Sequence, residues 1–408
     1  MKTMTPASCL RVAFLTLCTV HLHTCSEIPA AKVSPIEESL FNFTLNLHRA
    51  KSFDDSTENL VLSPLGFNLI LGQIAAGASP VLRETISKFL GWQKANLTDI
   101  HEHHEQILKR YNTTEDDEET LEVRINSAFF HRDYFKIYED FKKLLEQQYN
   151  SELIKLPENA TEAENQEIVN NWVKNTTNGL IKDFPISGST ISMFANVVYF
   201  NAEWLEPFSN QLTRKGKFFP TPEKTFNATY LMGQQEILYM EHPELRFKMI
   251  RLPYNSSNYN ISMYIVSPQK HNLKEVLAEM TFPKFLEHKS KMSTKIVNIK
   301  MPKLGMKSKI HLKDTLARFM ENTGNSSTDA FALNKVSNDS RSVLSEVVQE
   351  STFNVHEKGT TFASISAGYI NYDGSARNCR VDKPYLAILL DEATNLVLFW
   401  ATIKQPIL

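Results

Sequence analysis

The sequence predicts an α+β fold, and three observations predict it. Helical periodicity dominates the first half and strand runs the second, without the strand–helix alternation of a doubly wound sheet. The stretch Ile191–Phe200 is nearly continuous apolar, as expected of a strand buried on both faces. No internal repeat and no Pro- or Ser-rich linker divides the 408 residues, so one large domain is simpler than two. With 42% hydrophobic and 22% charged residues the chain can bury a sizeable core. A net charge of −2 argues against a nucleic-acid partner, which would call for a basic stripe.

Taken in order, Ile36, Leu40, Phe43 and Leu47 recur at helical spacing, with Asn42 on the far side. Asn59–Pro64 is a short apolar run ending in Ser63-Pro64, a cap followed by a first-turn proline. The helix that follows runs to about Ala76 with Gly77 as its stop, and a second covers Pro80–Leu90 and stops at Gly91. His101, His103 and His104 form the chain's one histidine cluster. His101 and His104 lie three apart on a helix, but no third ligand is evident and no zinc signature fits, so a solvated helix face is expected and no metal. Leu121, Val123 and Ile125 alternate as a strand; Phe141, Leu144, Leu145 and Tyr149 mark a helix. Another helix spans about Thr161–Lys174, with Ile168, Val169, Trp172 and Val173 inward. Asn196 interrupts the apolar strand, and a buried amide there needs partners on neighbouring elements. Strands are expected at Phe247–Pro253, Tyr259–Ser267 and Lys295–Pro302, then a helix at Leu312–Met320.

The C-terminal part is organised around one loop. Val347, Gln349, Ser351, Phe353 and Val355 alternate as a half-buried strand, and Tyr385–Leu390 and Leu396–Trp400 form a terminal hairpin. Between them, Gly359–Arg380 is rich in Ser, Ala, Gly and Thr and has little to bury. A tethered segment of that length inside a compact fold is a functional loop and a first target for proteases.

Lys2 and Arg11 precede the apolar run Val12–Val20, which reads as a secretory signal over residues 1–26, with the cut between about Cys25 and Ala31. A single domain over 32–408 remains. No later apolar run approaches a membrane span. Cys9, Cys18 and Cys25 leave with the signal, so Cys379 stands alone and no internal disulfide is possible. A half-buried thiol at a strand start is expected there. Ten Asn-x-Ser/Thr triplets, at Asn42, Asn96, Asn112, Asn159, Asn175, Asn227, Asn255, Asn260, Asn325 and Asn338, predict a glycoprotein.

Several stretches together resemble the serpin family. They are Asn59–Pro64; Val169–Val173 followed by Thr177–Ile181; Asn196 followed by Trp204–Phe208; Leu252–Tyr254; Met301–Leu304; Phe331; and Val381–Tyr385, with Tyr385 where the family has Phe. The resemblance implies three β-sheets, about nine helices and an exposed reactive-centre loop at 359–380. It also implies a mechanism for the members that inhibit. A serine-type protease cleaves the loop and becomes an acyl-enzyme, and the loop inserts as a new strand of the main sheet before deacylation frees the protease. Ser63, Asn196, Trp204 and Gln349 fall in the sheet-opening region, where the family carries a histidine in place of Gln349, bonded to the counterpart of Asn196.

Insertion buries alternate loop side chains, so they must be small. The hinge Glu357-Lys358-Gly359-Thr360 resembles the family pattern and continues Thr361-Phe362-Ala363-Ser364. Thr360, Phe362, Ser364, Ser366 and Gly368 would face inward, and Phe362 is the large one. Overpacking costs ~1–3 kcal/mol, which at the transition state slows insertion roughly 5- to 150-fold. By the family's register the scissile bond is Asp373-Gly374, suited to an acid-directed protease; Arg377 or Arg380 would suit a trypsin-like one. Lys109 and Arg110 lie among Asp116, Asp117, Glu118 and Glu119, so no heparin site is evident. The reading that follows is a secreted, monomeric inhibitor of an extracellular serine-type protease, without cofactor or enzymatic activity of its own. The alternative is a non-inhibitory carrier, storage or binding protein, motivated by Phe362 and Gln349.

Overall fold

Apolar spacing places the helices, and caps and glycines end them. A computed structural model describes residues 35–50, 58–111, 121–182, 184, 191–322, 331–339, 342–344, 347–360 and 376–407. Residues 1–26, read above as a signal, and residues 361–375 therefore lie outside the described residues.

Helix α1 (Pro35–Ala50) is followed by strand β1 (Leu60–Leu62) and helix α2 (Pro64–Gly77). Ser63 caps α2, its hydroxyl accepting from Gly66 N, and Pro64 opens the helix. Nearly every α2 residue is buried, as expected of a helix apolar all round. Gly77 is the last helical residue rather than the stop, and the reason is packing: a Cβ there would lie 2.3 Å from Val336 Cγ2. Helix α3 (Pro80–Leu90) ends as expected at Gly91, φ 75°, in the left-handed region. Then come α4 (Leu97–Tyr111), β2 (Leu121–Arg132), α5 (Glu139–Tyr149), β3 (Ser151–Leu156), α6 (Glu162–Thr176) and β4 (Ser192–Glu203). A reciprocal Thr161–Glu164 capping box starts α6.

The second half is strand-rich: β5 (Arg214–Phe218), β6 (Phe226–His242), β7 (Phe247–Pro253) and β8 (Ile261–Pro268). Helices α7 (Leu273–Glu279) and α8 (Phe282–Ser290) precede β9 (Ser293–Pro302), β10 (Leu304–His311) and α9 (Leu312–Asn322). The chain finishes with β11 (Val348–Val355), β12 (Gly359–Thr360), β13 (Arg377–Arg380), β14 (Tyr385–Asp391) and β15 (Leu396–Ile403).

Three sheets result. A nine-stranded sheet runs β1-β15-β14-β8-β7-β6-β9-β13, with β5 on the free stretch of β6. A four-stranded sheet runs β12-β4-β2-β3, and β10 pairs β11 in a two-stranded one. With nine α-helices among the described residues, the α+β expectation holds.

Strand β4 shows why its sequence is continuously apolar. Phe194 and Phe200 join the main core. Met193, Ala195 and Val197 face the other way, into a smaller core with Val169, Trp172 and Val173 of α6. Each large side chain among these contributes ~1.5–3 kcal/mol by leaving water, and the strand gains on both faces. Val347, just before β11, and Gln349, Ser351, Phe353 and Val355 on it are all buried, so the alternation marks one wholly inward face.

The histidine cluster departs from its expectation. His101 and His104 are buried, not solvated, because α4 turns that face onto Tyr149 of α5 and Asn68 of α2. Among the described residues no group of three or more His, Cys, Asp or Glu could hold a metal.

Candidate functional site

The hinge is a turn clamped from three sides. At the end of β11, His356 N donates to Gly359 O (3.0 Å) and Gly359 N to His356 O (3.3 Å), reversing the chain. Gly359 and Thr360 then pair antiparallel with Glu203 and Ala202 of β4. A Cβ at Gly359 would lie 2.0 Å from Ala202 O and 2.6 Å from Glu203 Cα, so only glycine lets the chain approach this closely.

Trp204 forms the floor. Its ring stacks on Tyr254 (centroids 4.5 Å, 16°), its indole N–H donates to His356 O (3.0 Å), and its backbone N–H donates to Lys358 O (2.8 Å). Phe208 N donates to Glu357 O (2.6 Å). The Glu357 carboxylate, largely buried, is held by Lys303 Nζ at 2.8 Å and by the Thr213 hydroxyl at 2.8 Å. Burial pushes this carboxyl up, but the Lys303 ammonium, a backbone N–H and the Thr213 hydroxyl outweigh it and hold the group below the usual carboxylate range. Burial, opposed by Glu357, keeps the His356 imidazole below its ordinary value.

The second part of the site lies along β4 and β11, between which no ladder forms among the described strands. Gln349 makes a two-point clasp on the cap residue of α2: Ser63 N donates to its Oε1 (2.8 Å) and its Nε2 donates to Ser63 O (2.9 Å). Ser63 Oγ donates to Leu398 O (2.7 Å). Asn196 ties β4 to β2, donating to Ser127 Oγ (2.9 Å) and Asn126 O (3.3 Å), while its own Oδ1 is buried without a partner. Gly66 lies between them, since a Cβ there would sit 2.7 Å from Gln349 Nε2 and 2.8 Å from Asn196 Oδ1.

Of the residues singled out by sequence, the structure brings Trp204, Glu357, Gly359 and the Thr360 backbone together, and separately Ser63, Gln349 and Asn196. Phe362, Ala363, Ser364, Asp373 and Gly374 lie outside the described residues. Arg377 is exposed on β13, paired in parallel with Val297 of β9. Cys379 is fully buried in the same strand, not half-buried, and burial pushes its thiol up to about 12. Of the ten sequons, Asn112 and Asn325 lie outside the described residues. Asn96, Asn159, Asn175, Asn227, Asn255, Asn260 and Asn338 are exposed, and Asn42 is half-buried on α1. The clasp partners Lys303 and Thr213 and the stacking partner Tyr254 had no role assigned by sequence. Lys303 and Tyr254 sit in two of the quoted motifs, whereas nothing in the sequence marks Thr213.

The family model for Serpin (serine protease inhibitor) matches residues 38–406. An uncharacterized serpin-like protein of Methanosarcina mazei is 27% identical over 379 residues, covering 90% of this chain and 86% of the relative. Serpin A3-7 of Bos taurus is 23% identical over 375 residues, covering 90% and 87%. Human thyroxine-binding globulin, solved with thyroxine, superposes with a TM-score of 0.81 at 18% identity, over 91% of this chain and 98% of that one. With hinge, floor and three-sheet topology in place, and a family match spanning nearly all of the described residues, the chain belongs to the serpin family.

Proposed function

We propose that the mature chain is a secreted inhibitor of an extracellular serine-type endopeptidase, acting by loop cleavage, acyl-enzyme trapping and insertion of the loop into the main sheet. One observation carries this reading: the first two loop residues are already paired to β4, at the mouth of a lane between β4 and β11 that no ladder fills. Each further residue entering that lane adds backbone hydrogen bonds worth ~0.5–1.5 kcal/mol net. About eight of them give ~4–12 kcal/mol, against ~1–3 kcal/mol for packing Phe362. Insertion is therefore favourable overall, and Phe362 governs its rate. In a race against deacylation, rate decides between trapping and plain cleavage.

Secretion rests on the signal-like segment and on the exposed sequons, which the glycosylation machinery could reach. No helix of the described residues is long and apolar enough to cross a membrane. The chain is read as a monomer that supplies no catalytic group of its own. For the scissile bond, Asp373-Gly374 is preferred to Arg377, because a residue held in a β ladder cannot extend into a protease cleft without leaving it.

The second reading, a carrier, storage or binding protein, is favoured by the Gln349 clasp and by an open cleft of about 650 Å³ beside Tyr239, His242, Lys291 and Arg377. The experiment is a panel of acid-directed and trypsin-like serine proteases incubated with the glycosylated chain and with Phe362→Ala. An SDS-stable complex, formed faster by the variant, is the expected result. Clean cleavage of both without a complex supports the second reading.

A further inference from the structure

The buried histidines of α4 play no part in loop insertion, yet they join three helices at one point. His104 Nε2 lies 2.5 Å from Asn68 Oδ1 of α2, and His104 Nδ1 lies 3.0 Å from the Tyr149 hydroxyl of α5. His101 Nδ1 lies 2.6 Å from the same hydroxyl. With Asn68 Oδ1 accepting, the His104 proton sits on Nε2, and Nδ1 accepts from Tyr149. The tyrosine proton is then used, so His101 Nδ1–H must donate to the tyrosine oxygen. Both rings are neutral and every facing atom is matched.

A second proton on His104 would go to Nδ1. Tyr149 would then face two N–H donors, and its own proton would have no acceptor in a fully buried place. The space is also closed: a Cβ at Gly72 of α2 would lie 2.5 Å from Tyr149 Oη and 2.7 Å from His104 Cε1. We propose that His101, His104, Tyr149 and Asn68 form an acid-release latch, which pins α4 and α5 to α2 at neutral pH and frees α4 when the imidazoles take up protons.

The surroundings offer no compensation for the added charge. Helix α2 carries no ionisable side chain, and α3 presents Arg83, whose charge adds to burial in holding His101 down to about 4. Burial, His101 and His103 hold His104 well below its ordinary value. The Trp92 ring packs on His104 at 5.9 Å, and Glu37 of α1 lies 3.4 Å from His103, on the same helix. Among the described residues neither latch ring has a carboxylate partner. The sign follows. The unfolded chain binds these protons below about pH 6.5 and the folded chain does not, so stability falls as pH drops from there toward the folded values.

The test is urea unfolding of the full mature chain between pH 7.5 and 4.5, beside His101→Gln and His104→Gln. Each latch histidine makes the unfolding constant rise about tenfold per pH unit below ~6.5, so each variant should lose about one decade per unit from that slope. Other buried histidines are common to all the proteins and cancel. Equal slopes in wild type and variants would overturn the proposal. Should a variant fail to fold, hydrogen exchange on the unaltered chain decides. Protection factors of α4 amides are expected to fall at least tenfold between pH 7.5 and 5.0, because any opening that exposes the two rings gains their protons. Unchanged α4 protection would overturn the latch.

Discussion

Gly359 sits where backbone meets backbone, and no side chain can be admitted there without moving β12 off β4. Gly359→Val should lift the hinge at a cost of ~1–3 kcal/mol and slow insertion roughly 5- to 150-fold. Stopped-flow fluorescence of Trp204, which contacts the hinge directly, measures that rate; an unchanged rate would mean that the seat is irrelevant to insertion. Glu357 adds a pH signature. Its folded pKa is depressed, so its contribution to stability is present above the unfolded range near ~4.3 and is lost as pH falls through the folded value. Glu357→Gln should flatten that part of the acid limb in urea melts, and an identical limb would mean that the Lys303 clasp adds nothing. Gln349→Ala would leave the Ser63 N–H unpaired in the interior, at ~1–3 kcal/mol, while the Ser63 carbonyl keeps its bond from Phe67 N; urea unfolding again reads the loss. Little of this was legible beforehand. Trp204, Glu357 and Gly359 stood in recognisable motifs, but Thr213 reaches Glu357 from a distant loop, and periodicity says nothing about tertiary contacts.

At the scale of elements, the legible ones were those whose pattern is set by burial on a whole face or on two. Helix α2, strand β4, strand β11 and the β14–β15 hairpin belong here, because each packs against the core along its full length. Strand β6 was missed although it is 17 residues long, since Gly233-Gln234-Gln235-Glu236 interrupts its apolar run. Gly233 is there for Phe208, which would lie 3.2 Å from its Cβ. Strand β5 hid behind Arg214, Lys215 and Lys217, the charges expected on an edge. The α4 face was misread for a related reason: histidine is polar in a sequence, yet two rings sharing one tyrosine hydroxyl can be buried fully matched. Gly72→Ala tests how tightly that junction is closed. It should destabilise by ~1–3 kcal/mol, and a neutral result in thermal melts would show that α2 and α5 can part without cost.

For the whole molecule, the proposed inhibition requires a sheet that can still gain a strand. The seated hinge, the unfilled lane and the small cost of Phe362 relative to a new ladder all belong to that claim. The most direct measurement is a thermal melt of the purified mature chain before and after its loop is nicked by a nonspecific protease. Insertion of the freed loop predicts a rise of roughly 5–15 °C, as ~4–12 kcal/mol of new backbone pairing set against an unfolding entropy of ~2.1 cal/mol/K per residue would give. An unchanged melting temperature would contradict the account, because cleavage would then have released a loop with nowhere to go.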